Sequence, residues 1–124
     1  MGADRHWLSV ELAEGGDPEA VRDAMDYQDS RIDYCVRHGD ALVFVGIEYR
    51  TDRVVDALNA VAESVAAVAL FHHYDGAGGM LAAYYETDDG ELTEIERLSH
   101  DAMGTMTEPV FDYFSAKYGI YAPV

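Results

Sequence analysis

Residues 31–65, RIDYCVRHGDALVFVGIEYRTDRVVDALNAVAESV, hold two strands and a helix in the order that decides the fold class. From Arg31 to Arg37 the apolar Ile32, Tyr34 and Val36 alternate with Asp33, Cys35 and Arg37, the period-two pattern of a strand with one buried face. His38-Gly39-Asp40 supplies a tight turn, and the chain runs back from Ala41 to Arg50. The run ALVFVGIEY is apolar at successive positions, as in a central strand covered on both sides. Thr51 then caps a helix whose apolar positions are Val54, Val55, Leu58, Val61, Ala62 and Val65, a single amphipathic stripe.

Working outward, HWLSVELA over residues 6–13 alternates in the same way, with Leu8, Val10 and Leu12 opposite Trp7, Ser9 and Glu11. Asp17 and Pro18 open a helix over about 18–28, with Asp17 as its cap and Glu19 at the positive end of its dipole. Past the central helix, Ala66 to Tyr74 and Met80 to Thr87 read as strands around a glycine-rich loop, and Asp88-Asp89-Gly90 as a hairpin turn. Glu91 to Leu98 reads as an acidic edge strand, although Leu92, Ile95, Leu98 and Ala102 also have helical spacing. A short helix over 108–118 starts near Pro109 and ends before Gly119.

Strand runs without a βαβα rhythm predict an α+β fold with helices on one face of an antiparallel sheet. The order predicts a ferredoxin-like βαββαβ core with an extra β-hairpin strand and a C-terminal helix. A profilin-like or roadblock-like α-β sandwich is the alternative. With no sustained repeat, low-complexity tract or linker, residues 1–124 are expected to form a single domain.

The chain carries 24 Asp and Glu against 8 Lys and Arg, a formal charge of −16, and Lys117 is its sole lysine. Nine Tyr, four Phe and one Trp argue against disorder, leaving a folded protein with an acidic surface. Scarce Lys with Asp in excess of Glu resembles the composition of proteins from salt-in halophilic archaea, a likeness of composition rather than of family. At about 1 M salt the Debye length falls to about 3 Å, which screens the self-repulsion of such a surface. One cysteine, Cys35, excludes an intrachain disulfide and a Cys-rich zinc module. With no basic leader and no apolar run of membrane length, the expected location is the cytoplasm. Scattered arginines give no basic stripe for nucleic acid, and the amphipathic helices present acidic polar faces that do not suit a membrane.

Placing Leu8, Val10, Val36, Val43, Val45 and Ile47 against the helices leaves Trp7, Ser9, Glu11, Cys35, Arg37, Leu42, Phe44 and Glu48 on the other face. Such a mixture suits a homodimer interface, a seat for the C-terminal helix, or a ligand pocket with Trp7, Arg37, Phe44 and Glu48 as binding residues. The catalytic candidates are Glu11, Glu48, His72 and His73: two carboxylates on neighbouring strands can split their pKa values, and an imidazole can exchange protons near neutrality. His72 and His73 are adjacent and so point to opposite faces of a strand. Without HxH or HExxH spacing, or a twelve-residue calcium loop, no metal site is expected. Neither glycine-rich stretch is a phosphate loop, and Asp17 would compete with an anion at the one that precedes a helix; no cofactor is expected.

Three functions follow as expectations. The first is a homodimeric ligand-binding or regulatory domain, with a small-molecule ligand. The second is a small ferredoxin-like enzyme using His/Glu acid–base chemistry at a dimer pocket. The third is a protein–protein interaction module presenting Tyr113, Tyr118 and Tyr121. Filling of the second sheet face by Phe111, Phe114 and Tyr118 would count against the enzyme.

Overall fold

Alternation in the first strand and the apolar run of the third place both in the interior of one sheet. The computed structural model describes residues 5–26, 34–47, 51–74, 79–100 and 107–119. Its elements are β1 (Arg5–Leu12), α1 (Pro18–Asp26), β2 (Tyr34–His38), β3 (Ala41–Ile47), α2 (Thr51–Asn59), β4 (Val65–Tyr74), β5 (Gly79–Asp88), β6 (Glu91–His100) and α3 (Thr107–Tyr118). The six strands form an open, wholly antiparallel sheet in the order β2-β3-β1-β4-β5-β6. Strand β1 separates β3 from β4, and β3 separates β1 from β2, so the connections through α1 and through α2 each skip one strand. The fold is α+β, with three helices on an antiparallel sheet.

Helices α1 and α2 pack side by side over one layer of the core. Val21 and Met25 of α1 and Val54 and Leu58 of α2 bury themselves against Leu8, Val10, Leu42, Phe44, Val68 and Leu70. The pairing of Leu8 with Phe44 and Val10 with Leu42 puts Leu42 and Phe44 beneath these helices, not beside Trp7 as the alternation suggests. Val43 and Val45 accompany Ser9 and Trp7 on the far face instead. The cause is physical: ALVFV is apolar at every position, so its alternation has no phase, and the register to β1 sets it.

The apolar stripe expected from Val54 to Val65 is divided among three pieces of structure. Helix α2 ends at Asn59, a single 3-10 turn covers Ala62–Ser64, and Val65 begins β4. Ala62 and Val65 are nonetheless buried, so the spacing reported the core correctly and the helix length incorrectly. Ser64 explains the break, because its backbone oxygen accepts from Ala13 N–H (3.0 Å) and its Oγ from Asp17 N–H (3.0 Å). Those bonds tie the turn to the β1–α1 loop, where a continuing helix could not reach.

Residues 91–100 are a strand, and its ladder to β5 is interrupted once. Tyr84 pairs with Glu96 but Tyr85 pairs with Glu94, so Ile95 is one inserted residue, a β-bulge. The inserted residue reverses the phase of the strand, so Leu92 faces the layer under α1 and α2 whereas Leu98, opposite Ala82, faces the side of α3; the helical spacing marks no shared face. The turn before it has φ of 53° at Asp89 and 79° at Gly90, both left-handed, as a two-residue type I′ hairpin requires.

Candidate functional site

Helix α3 lies across the far face over β4 and β5, where it forms a second core layer. Phe114 is fully buried there with Phe71, Ala69, Ala82 and Tyr84, and Trp7 and Tyr118 pack at the margin. The Tyr118 ring stacks on Tyr84 at 3.8 Å between centroids, and Phe114 meets Phe71 at 5.8 Å in a tilted contact. The polar attachment of α3 converges on one carboxylate of β6. Glu96 accepts from Tyr113 Oη (2.6 Å), Lys117 Nζ (2.9 Å) and Tyr118 Oη. Donation first from Tyr113, then from Tyr118 and Lys117, holds the Glu96 carboxyl down to about 2. Lys117 is correspondingly raised by Tyr113 and Glu96. Burial, reinforced by Glu86, pushes the Tyr84 phenol up to about 12. Sequence reading passed over this clasp, although the sole lysine lies four residues after Tyr113 and beside Tyr118 on one helix, which was the available signal.

Of the candidate acid–base groups, the two described ones, Glu11 and His72, are not brought together. Glu11 is exposed on the far face opposite Ala67, whereas His72 is buried, opposite Leu81 and a neighbour of His6. Alternation from Leu70 puts His72 on the side of α1 and α2, and five pairing steps separate it from Glu11 along the strands, about 17 Å. Trp7 stays with the α3 layer and Phe44 lies in the other core layer. Glu48 and the side chain of His73 lie outside the described residues. Phe111's side chain does as well, but Phe114 and Tyr118 fill the α3 portion of the far face.

Arg37 marks a different place, the end of the sheet where the β2–β3 hairpin meets the β1–α1 loop. A cavity of about 380 Å³ opens there, lined by Leu12, Ala13, Glu14, Gly15, Gly16, Arg37 and Asp40. Its walls are fixed by the backbone. Leu12 N–H donates to Asp40 O (2.8 Å), Ala13 N–H to Ser64 O (3.0 Å) and Gly16 N–H to Ala13 O (2.8 Å). Gly15 has φ of 75°, and a Cβ on Gly16 would stand 2.5 Å from the backbone oxygen of Ser64, so both positions call for glycine. Arg37 Nε donates to Gly39 O at 3.1 Å, which orients the guanidinium. Among the described residues Arg37 forms no ion pair with Glu14 or Asp40, although all three line the same cavity. The start of α1 nearby is already occupied, because Asp17 Oδ1 accepts from Glu19 N–H at 3.0 Å. Cys35, half-buried, packs against the core beneath α1 and close to Arg22, whose guanidinium its hydrogen bond raises.

No family model, curated protein or solved structure matches the chain. Its own geometry therefore carries the functional argument. Among the described residues no three His, Cys, Asp or Glu side chains come together as a metal ion would need, and no helix is long and apolar enough to cross a membrane.

Proposed function

We propose that the chain is a small salt-adapted binding or regulatory domain built on a ferredoxin-like core, taking a small polar ligand at the Arg37 cavity and working as a homodimer in the cytoplasm. The core reading is supported by the order β4-β1-β3-β2 with its two strand-skipping connections, to which the β5–β6 hairpin adds an extension. The observation that carries the ligand reading is the cavity at Arg37, whose walls are held by backbone hydrogen bonds to Asp40 and Ser64. Acid–base chemistry shared between Glu11 and His72 is disfavoured by their distance and their opposite faces.

The test is a titration of the uniformly ¹⁵N-labelled protein in about 1 M KCl with a panel of small carboxylates, amines, amino acids, sugars and nucleotides. Saturable shifts confined to the amides of Ala13, Gly15, Gly16 and Asp40, lost in Arg37→Gln, support the reading; a panel in which none moves them refutes it. For the dimer, Val36 on edge strand β2 is 47% exposed on the far face. Sedimentation equilibrium should give a dimer that V36D converts to monomer, and a monomer at every concentration removes the proposal. Unchanged stability on dilution to about 0.1 M salt would likewise remove the salt adaptation.

A further inference from the structure

We infer that the ligand of the Arg37 cavity is a small zwitterion of the α-amino acid class, carrying one carboxylate and one ammonium group. The inference deepens the binding reading above and rests on it. Residues of both signs line one opening, Arg37 together with Glu14 and Asp40. At ion-pair distance these groups would cancel, but Arg37 pairs with neither; elsewhere in the chain Arg22 closes on Glu19 at 2.8 Å and Arg97 on Glu94 at 2.6 Å. Because its Nε is committed to Gly39 O, the terminal nitrogens of Arg37 remain to take a carboxylate, the planar geometry in which guanidinium binds best.

A ligand of a single sign uses only part of this rim. A lone anion gains Arg37 and leaves Glu14 and Asp40 unmet; a lone cation gains the carboxylates and leaves Arg37 unmet. One molecule with both groups satisfies each side. Its size is limited as well, since about 380 Å³ is near the lower end of small-molecule sites, and only Leu12 and Ala13 offer apolar wall. In about 1 M salt the Debye length is about 3 Å, so the general negative field of the protein neither attracts nor repels such a ligand. Contacts at hydrogen-bond distance then decide what binds.

The experiment compares acetate, methylammonium and pools of the proteinogenic amino acids, each titrated into the full ¹⁵N-labelled chain in about 1 M KCl. At least one pool should saturate the amides of Ala13, Gly15, Gly16 and Asp40 at a concentration about tenfold lower than acetate or methylammonium requires. Arg37→Gln and Glu14→Gln should each weaken that binding about tenfold. Both residues are exposed, so unchanged amide positions elsewhere certify the fold, and either variant serves if the other is perturbed. Acetate binding as tightly as any pool, or binding of a sugar or nucleotide from the broader panel with no pool active, overturns the zwitterion while the binding reading stands. If no probe moves these amides, both fall.

Discussion

Replacing Phe114 with alanine tests how α3 is held. Phe114 is fully buried, with ring centroids 5.8 Å from Phe71, 5.5 Å from Tyr118 and 5.6 Å from Tyr113. Removing such a ring costs about 3–5 kcal/mol, since the lost transfer energy is joined by a cavity that the stacked Tyr84 and Tyr118 cannot close. Domains of this size hold about 5–15 kcal/mol in all, and each kcal/mol corresponds to about 4 °C. Phe114→Ala should therefore lower Tm by about 12–20 °C if α3 and the rest unfold together. Among the described residues, the layer under α1 and α2 contains none from α3, so undocking can instead come first, and the loss is then capped at the docking energy. Trp7, the only tryptophan, packs against the α3 layer and reports the difference. Thermal unfolding in about 1 M KCl is followed by circular dichroism and by Trp7 emission. A fall in both together indicates one cooperative unit, and a red-shifted emission before the main transition indicates prior undocking. Leu58→Ala, equally buried in the other layer, should lower Tm without that early shift. A variant within about 3 °C of the parent with unshifted emission refutes the assigned role of Phe114.

Glu96 sets an acid limit on the same helix. Its folded-state pKa, about 2, lies below the ordinary 4.5, so its contribution is complete above 4.5 and is lost as pH falls toward 2. Acid titration of Trp7 emission should show that window, and Glu96→Gln should flatten it; an identical profile in the variant refutes the clasp. Gly16→Ala drives a Cβ against the Ser64 carbonyl and should cost about 1–3 kcal/mol through the displaced loop bonds, measured by urea unfolding; parental stability would show that the loop is not pinned there. Tyr84 should ionise late, near pH 12, in ultraviolet titration. Tyr84→Phe should delete that late absorbance, while Glu86→Gln should shift it to lower pH, and a profile unaltered by both counts against the burial assigned to this phenol.

Most of the elements were legible because their residues obey one period at a time. HWLSVELA alternates, and Asp17-Pro18-Glu19 is a helix start; each lies where its pattern says. Legibility failed where a pattern lost its phase. In ALVFV both faces are apolar, so the sequence could not tell which of Phe44 and Val45 lay under the helices, and the paired register decided it. Leu92, Ile95 and Leu98 have helical spacing but lie in a strand whose bulge sends Leu92 and Leu98 to opposite faces, and at Ser64 hydrogen bonds to a distant loop ended a stripe that looked continuous. The candidate site suffered most from the first failure, because a reversed β3 put Phe44 beside Trp7 on paper and in the opposite layer in the fold. The cavity at Arg37 joins a loop to a hairpin far along the chain, a juxtaposition that no local pattern encodes.

The bulge at Ile95 has a consequence for association. An open sheet has two margins, and if each accepts the other's strand, copies add head to tail and a filament grows without limit. Here β6 is kinked at Ile95 and carries Glu91, Glu94, Glu96 and Arg97, so it makes a poor template for a flat incoming strand. Strand β2, five residues long, is the margin without such a break. In the proposed dimer, a join of β2 to β2 would use up both participants by two-fold symmetry, and strand-to-strand growth through that margin would end at two copies.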